Sequence, residues 1–150
     1  MSRAGCSKQP RAWPFGPEAW RQWPVFAGYY KEYLFSAQGL LAATSSLRIN
    51  IHCTGTNLHS RITDAMSIGV ATAVMENDAD SGPFGIEQFF APDVDFIRVN
   101  FDNFSRKIKE HLKHPKRIAE ISQNCQRKML GEYTWEKICG RMLRDFRAVI

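Results

Sequence analysis

The sequence predicts an α/β domain in which helices flank a parallel β-sheet. Short stretches of alternating apolar and polar residues, typical of strands, recur between stretches whose apolar residues have helical spacing. Strand and helix alternate along the middle of the chain, as they do where helices connect neighbouring parallel strands. The chain has 150 residues, which suits one domain with a sizeable core.

Composition excludes several classes of protein. Hydrophobic residues make up 44% of the chain and charged residues 23%, a globular balance. No apolar run approaches the roughly 18 residues of a spanning helix, so we expect no membrane span. Cys6, Cys53, Cys125 and Cys139 form no Cys-x-x-Cys pair, which predicts reduced thiols in a cytoplasmic protein. Polar residues 1–10 predict a flexible tail, and the domain itself is expected over the remainder of the chain, residues 11–150.

Charge is unevenly distributed over a chain with a formal net charge of +5. Residues 76–95 contain six acidic and no basic residues, whereas residues 101–150 contain twelve basic and six acidic residues. Such a basic half is most often a solvated helical surface. The alternative is a non-enzymatic interaction module that binds an acidic partner or nucleic acid. We do not expect nucleic-acid binding. If the chain is such an interaction module, Lys107, Lys113, Lys116 and Arg117 would form its basic surface.

The first predicted elements are a loop, a helix and a strand. Residues 11–24 contain three prolines among four aromatic residues, which predicts an irregular loop pinned to a core. A stacking platform for bases is the alternative. Residues 27–44 have apolar residues at helical intervals. Residues 47–52 alternate apolar with polar residues, so we expect a strand whose polar side borders a cleft.

A strand–helix–strand unit follows at residues 49–76, and three helices end the chain. Within this unit we expect a helix over 60–68, closed by Gly69, and a strand over 70–75. After it we expect a turn-rich loop over 77–84, a short helix over 86–90 and a strand over 96–99. Asp102, Pro115 and Thr134 are the expected start signals of the last three helices, and Gly131 is the expected end of the second of them. The final helix is expected to turn four apolar residues inward, namely Trp135, Ile138, Met142 and Phe146.

Ligands in such a sheet are expected outside the carboxyl ends of the strands. The loop over 53–59 lies there and leads into a helix N-terminus, whose free amides and partial positive charge favour phosphate. The donors nearby are Thr54, Thr56, Asn57, Ser60 and Arg61. The loop has neither Gly-x-Gly-x-x-Gly nor Gly-x-x-x-x-Gly-Lys-Ser/Thr, so dinucleotide and P-loop sites lose their main support.

Asp64 lies one turn after Ser60 and shares a helix rim with Arg61. There it can accept hydrogen bonds from ribose hydroxyls; the alternative is an ordinary Arg61–Asp64 surface pair worth about 0–1 kcal/mol. His52 and His59 suggest a metal site, but their spacing fits no zinc pattern, so we expect phosphate-facing or otherwise satisfied histidines. No Gly-x-Ser-x-Gly motif for a nucleophilic serine is present.

Five segments resemble the GT-B glycosyltransferases of group 1, in particular the branch of spore-maturation CgeB-like proteins. Residues 64–74, DAMSIGVATAV, resemble the Glu-Ala-x-x-x-Gly-x-Pro motif of that family. The other matches are residues 16–20 with its Gly-Pro-x-Trp turn, 47–52 with its Asn-x-His strand, 85–92 with its Leu-x-Glu-x-Phe-x-Pro-Gly run and 132–135 with its His-Thr-Tyr segment. They occur in the order found in the family and extend over residues 16–143.

The resemblance implies a Rossmann-like lobe that binds a nucleotide-diphosphate sugar for transfer to an unknown acceptor. Asp64 would hold the donor ribose, Arg61 would face the diphosphate, and a Gly-rich turn would border the sugar. The family is metal-independent in general, so no cofactor is expected and Arg and helix dipoles would stabilise the leaving diphosphate. The whole expected substrate-binding set is His52, Thr56, Asn57, His59, Ser60, Arg61, Asp64, Ser81, Gly82, Gly85 and Glu87.

The chain departs from that family in motif and in length. Asp64 stands where the family has Glu, Ala71 where it has Pro, and Thr56 where many members carry a second Glu. GT-B enzymes have two lobes, and the acceptor lobe has no room in 150 residues. We therefore expect a single C-terminal donor lobe, incomplete before Arg11, that transfers sugar only with a second lobe or subunit. This expectation is compatible with a truncated reading frame, with one part of a split enzyme and with an inactive fragment. The catalytic residues stay unassigned.

Overall fold

The computed structural model of the protein describes residues 14, 17–32, 34, 36–53 and 58–149. The chain forms two compact units, Met1–Leu40 and Leu41–Ile150. Described elements of the first unit are a 3-10 helix at Glu18–Gln22 and a single helical turn, α1, at Pro24–Ala27. Fixed proline φ angles keep these elements short, as the sequence predicts. Trp13 and Phe15, two aromatic residues of the predicted loop, lie outside the described residues.

Helix α2 spans Ala37–Ser45, so the predicted helix over residues 27–44 is wrong in its first half. Residues 28–32 and 34 are not helical. The reason lies at Ser36, whose Oγ accepts a hydrogen bond from the backbone N–H of Gly39 at 3.0 Å. A serine that accepts from the third residue after it is a typical N-cap, and it starts the helix later than the apolar spacing suggests.

Within the described residues of the second unit, three parallel strands form an open sheet in the order β1 (Asn50–His52), β2 (Thr72–Met75) and β3 (Ile97–Val99). Helices connect and flank the strands, which confirms the predicted α/β class. The helices are α3 at Ser60–Ser67, α4 at Phe104–Lys113, α5 at Pro115–Glu132 and α6 at Trp135–Val149, with a 3-10 helix at Ile86–Gln88 before β3.

Two of the predicted helix boundaries hold in this part of the chain, and two are wrong. Gly69 has a φ of +76° and ends α3 as expected, and Pro115 opens α5. Asp102 is not the cap of α4; Asn103 precedes that helix and exchanges hydrogen bonds with Asn100, each backbone N–H donating to the other's Oδ1 at 3.0 Å. Gly131 lies inside α5, which continues to Glu132.

Most of the buried apolar residues of the described chain form two clusters, one on each face of the sheet. Side chains alternate between faces along a strand, so Val74 belongs to one cluster and Ala73 to the other. The first cluster contains Ile62, Met66, Val74, Ile86, Phe90, Phe96, Cys125 and Met129. The second contains Ala71, Ala73, Ile97, Val99, Ile118 and Ile121. Helix α5 supplies residues to both clusters.

The outer edge of β3 is covered by side chains. Val99 uses its carbonyl to accept from Glu76 N on the β2 side, so the N–H and carbonyl of Arg98 face away from β2. Asp93 Oδ1 accepts from Arg98 N at 3.3 Å, and Lys107 Nζ donates to Arg98 O at 2.7 Å. Lys107 Nζ also lies 2.6 Å from Asp93 Oδ1. This pair satisfies backbone groups that would otherwise be open for pairing.

Helix α6 does not bury its apolar face, which contradicts the predicted inward packing. Thr134 caps it as expected, because Thr134 Oγ1 accepts from Lys137 N at 3.3 Å. Trp135, Met142 and Phe146 are nevertheless exposed, and none of the α6 side chains that the structure describes belongs to either buried cluster. Helical spacing predicts an amphipathic helix but does not show what covers it. None of the described helices has the length and apolar character that crossing a membrane requires.

Candidate functional site

The carboxyl ends of the three strands bring polar residues to one edge of the sheet. β1 ends at His52, and Glu76 and Asn100 directly follow β2 and β3. Because the strands are parallel, these ends lie on the same side, where ligands bind in open α/β sheets. The candidate site is this edge, with the described residues 53, 58 and 59 of the first loop and the second loop (residues 77–85).

The last residue of β1 is buried, and its apolar neighbour is exposed. His52 pairs in register with Val74 and shares its face of the sheet, while Ile51 lies opposite and exposed. The predicted polar side of this strand is therefore its inner side. The ring centroids of His52 and His59 are 5.1 Å apart, so the two predicted histidines do come together.

His59 is the N-cap of α3. Its Nδ1 accepts a hydrogen bond from Arg61 N at 3.1 Å. Serine, threonine, aspartate and asparagine are the usual residues at this position, which is why sequence reasoning did not identify the cap. Ser60 is the first helical residue and is exposed. Thr56 and Asn57 lie outside the described residues, as does Thr54.

Arg61 and Asp64 are both exposed on the rim of α3. The surface ion pair considered for them is absent: among the described residues, neither side chain forms an ion pair with the other or with a third residue. A guanidinium and a carboxylate therefore face solvent within the first two turns of a helix that starts at the sheet edge.

The second loop is fixed by its own hydrogen bonds. The buried Asp80 carboxylate accepts from Asn77 N at 3.0 Å and from Asn77 Nδ2 at 2.8 Å. A Cβ added at Gly85 would overlap the carbonyl oxygens of Ala79 and Asp80, so this predicted site residue is also a structural requirement. Leu58 N donates to Phe84 O at 3.2 Å, which joins the second loop to the end of the first.

The other predicted residues of this region divide between loop backbone and an ion-pair bridge. Ser81 contributes its carbonyl to Gln88 Nε2 at 3.0 Å, and Gly82 N donates to Ala79 O at 3.1 Å. Glu87 Oε1 is buried and forms an ion pair with Arg98 Nη1, at a distance of 2.6 Å. The geometry of this pair is not that of a hydrogen bond. Glu87 thus pairs with a residue of β3 and with none of the predicted set.

Arg98 bridges two carboxylates at the sheet edge. Arg98 Nη2 donates to Glu76 Oε1 at 2.7 Å, while its Nη1 contacts Glu87. Asn100 Nδ2 lies 3.4 Å from the other carboxylate oxygen of Glu76, Oε2. Sequence reasoning missed Glu76, Arg98 and Asn100. Their signal was available, because Glu76 and Asn100 are the first polar residues after β2 and β3, and Arg98 is the charged residue inside β3.

The family model described as "Glycosyl transferase-like" matches residues 8–144, nearly the whole chain. The chain belongs to the glycosyl transferase-like family. A comparison with curated proteins found no match. Membership confirms the predicted resemblance at the level of glycosyltransferases, and the three-stranded parallel sheet of the described residues agrees with a Rossmann-like lobe. The CgeB-like branch and the C-terminal lobe stay predictions.

Burial and positive neighbours keep His52 of this glycosyl transferase-like domain neutral. Burial first, then the proximity of His59 and Arg61, lowers the pKa of His52 from 6.5 to about 4. The sheet edge at α3 is therefore positive through Arg61 and the helix N-terminus, with uncharged imidazole at His52. Among the described residues, no three His, Cys, Asp or Glu side chains are grouped to hold a metal ion.

A second polar cleft of the glycosyl transferase-like domain lies where α4 meets α5. It has a volume of about 250 Å³ and is lined by Asp93, Lys107, Glu110, His111, His114 and Arg117. Two of the basic residues considered for an acidic partner lie here, and both are engaged. Lys107 binds Asp93 and Arg98, and Arg117 Nη2 donates to Asp93 O at 2.7 Å. The other two of these four basic residues, Lys113 and Lys116, are exposed.

Proposed function

We propose that this glycosyl transferase-like domain binds the nucleotide-diphosphate part of a sugar donor at the start of α3. One observation carries the proposal. Arg61 and Asp64 are exposed and lack ion-pair partners among the described residues, and they stand beside a helix N-terminus at the carboxyl edge of a parallel sheet. Unpaired charges of both signs at that edge suit a ligand with a phosphate group and hydroxyls.

The diphosphate is the group that the helix start would hold. The partial positive charge at the N-terminus of α3 favours an anion, and the fork of Arg61 matches phosphate oxygens in a bidentate manner. Charge grows on the diphosphate as it leaves the sugar, so these donors would stabilise the transition state more than the bound donor. Thr56 and Asn57 are proposed to add contacts from the first loop.

The ribose and the sugar would lie on either side of that diphosphate. Asp64 would accept hydrogen bonds from ribose hydroxyls, with one methylene less reach than the Glu of related motifs. The second loop would border the sugar through Ser81, Gly82 and Gly85. Glu87 would reach the sugar only with the oxygen that does not face Arg98, because Oε1 lies 2.6 Å from Arg98 Nη1.

Sugar transfer itself is proposed to need a second lobe or subunit. The candidate edge supplies donor-binding groups, and none of its described residues is arranged as a nucleophile–base pair: His52 is buried and neutral, and burial raises the pKa of the neighbouring Cys53 thiol. An acceptor-binding partner would have to bring the hydroxyl and its base to the sugar.

Calorimetric titration of the full chain with UDP, GDP, UDP-glucose and GDP-mannose tests the site. We expect at least one of these to bind, and Arg61→Ala to weaken its affinity at least about tenfold, since a charged hydrogen bond is worth about 1.5–3 kcal/mol. Asp64→Ala should weaken the nucleoside diphosphate as well, because it removes the ribose contact.

Arg106→Ala is the matched control for Arg61→Ala. Arg106 is an exposed arginine of α4 that pairs with Glu110 at 3.4 Å, far along the chain from the proposed site, and its loss should leave nucleotide affinity unchanged. Equal affinity in wild type, Arg61→Ala and Asp64→Ala would show the assignment to be wrong. Binding of duplex DNA that weakens steeply with salt, without nucleotide binding, would favour the interaction-module alternative.

A further inference from the structure

The candidate edge carries opposite charge at its two ends. On the β1 side, the N-terminus of α3 and the exposed Arg61 are positive. On the β3 side, residues 76–87 include four acidic and no basic residues, and Arg98 is the cation that pairs with two of these acids. The charge of Lys107, which also reaches Arg98, is matched by Asp93 at 2.6 Å. Four carboxylates against one guanidinium therefore leave this end of the edge negative.

The Arg98 bridge, formed by Glu76, Arg98 and Glu87, lies close enough to α3 to meet the same ligand. Val74 is in register with both His52 and Arg98, so these three side chains form one row on one face of the sheet. Neighbouring strands are roughly 4.8 Å apart, which puts the backbone of Arg98 about 10 Å from that of His52. The His52 ring lies against the N-cap residue of α3. A diphosphate at the start of α3 thus leaves the bridge within reach of the attached sugar.

The bridge fixes its two carboxylates and leaves them able to accept further hydrogen bonds. Each glutamate gives Oε1 to Arg98, and Glu76 Oε2 has only a long contact of 3.4 Å with Asn100 Nδ2. Asn100 is itself held, because its Oδ1 accepts from Asn103 N at 3.0 Å. A carboxylate offers about four lone-pair positions, and the side chain of Glu76 is 41% exposed. Glu76 and Glu87 therefore keep acceptor capacity toward a ligand at the edge.

We propose that the Arg98 bridge makes this site select an uncharged sugar over an acidic one. The inference rests on the donor site proposed at the start of α3. Hydroxyls of an uncharged sugar can donate to the carboxylates that Arg98 holds in place. An acidic sugar brings a carboxylate that has no proton to donate and is repelled by the excess negative charge. The same edge therefore attracts the diphosphate at one end and excludes a second anionic group at the other.

A purely structural bridge is the alternative, in which Arg98 only ties the 3-10 helix at Ile86–Gln88 to the ends of β2 and β3. Breaking such a tie would change the stability of the fold. It would not change the relative affinity for two ligands that differ only in the charge of the sugar. The deciding measurement is therefore a ratio of affinities within each variant.

The experiment is calorimetric titration of the full chain with two matched pairs: UDP-glucose with UDP-glucuronate, and GDP-mannose with GDP-mannuronate. The members of each pair differ only at C6, where a hydroxymethyl group is replaced by a carboxylate. For the nucleotide that binds, wild type should bind the acidic form at least about tenfold more weakly. Glu76→Gln should reduce this ratio at least about threefold, because one carboxylate is lost. Arg98→Met should increase it, because the guanidinium is lost.

Glu120→Gln is the matched control, because Glu120 is an exposed glutamate paired with an arginine, Arg117, at 3.5 Å. Arg117 also donates to Asp93 O, before β3, which places this pair toward the opposite edge of the sheet, so the ratio should equal that of wild type. Acidic and uncharged forms that bind wild type equally overturn the proposal, and so does a ratio unchanged in Glu76→Gln. If UDP or GDP still binds through Arg61, the donor site survives that result. If no nucleotide or nucleotide sugar binds, both proposals are wrong.

Discussion

At Gly85, the absence of a side chain determines the shape of the second loop. The carbonyl oxygens of Ala79 and Asp80 occupy the space in which a Cβ would lie, so Gly85→Ala must displace backbone that the Asp80 carboxylate holds. We expect the substitution to lower the free energy of unfolding by about 1–3 kcal/mol, the usual cost of overpacking. Urea denaturation measures this change.

Gly131→Ala is the control for Gly85→Ala. Gly131 lies in α5 with nothing within 4 Å of an added Cβ, so alanine should raise the free energy of unfolding by about 0.5–1 kcal/mol through its better helix propensity. Changes of opposite sign in the free energy of unfolding for Gly85→Ala and Gly131→Ala would support the crowding at the second loop. Equal values would contradict it.

His52 should make the stability of the protein depend on pH. Its pKa is lowered from 6.5 to about 4 in the folded state, so between these values the unfolded chain takes up a proton that the folded chain does not. The stability contribution is therefore complete above pH 6.5 and is lost as pH falls to 4, by up to about 3 kcal/mol. Denaturant unfolding at several pH values should show this loss.

His52→Gln should flatten that dependence, because glutamine does not titrate. Part of the slope will remain, since burial also lowers the pKa of His111. Stability that is level between pH 6.5 and 4 in wild type, or a slope that is the same in His52→Gln, would exclude His52 as the source.

Among the elements, β3 is the strand whose outer edge is held by a single ion pair. Lys107 Nζ serves the Asp93 carboxylate and the Arg98 carbonyl together. Lys107→Met keeps most of the apolar stem but leaves the Asp93 carboxylate and the Arg98 carbonyl without this donor, so we expect the free energy of unfolding to fall by about 1–3 kcal/mol. Lys109→Met, an exposed change on the same helix, should cost less than about 0.5 kcal/mol.

The same substitution tests edge protection. If Lys107 shields β3 from strand pairing, Lys107→Met should also associate in a concentration-dependent manner that analytical ultracentrifugation detects. A variant as stable and as monomeric as Lys109→Met would mean that the pair has no such role.

The elements that sequence could predict are those determined by neighbours in the chain. Gly69 at a positive φ and Pro115 at the first turn are local signals, and both are correct. The polar side of β1, expected at a cleft, is its inner side at His52, and the inward face assigned to Trp135 is exposed. Both predictions failed for the opposite reason. Alternation and helical spacing define two sides of an element, but which side is buried depends on distant packing.

In the whole molecule, the family was predictable because five weak segments occur in a fixed order. No segment is specific alone, but the family match covers residues 8–144, which contain all five segments. The candidate edge was predictable from strand order, and His52 and His59 do meet there. The bridge at Arg98 was not, since it joins residues 22 and 11 positions away through the folded sheet.

Helix α5 has a consequence for cooperativity. Its 18 residues contribute Ile118 and Ile121 to one face of the sheet and Cys125 and Met129 to the other. Neither face can open while α5 stays in place, and α5 cannot leave without exposing both. The two faces therefore form one unfolding unit, in which ordering of α3 at the candidate edge also stabilises the core on the far side of the sheet.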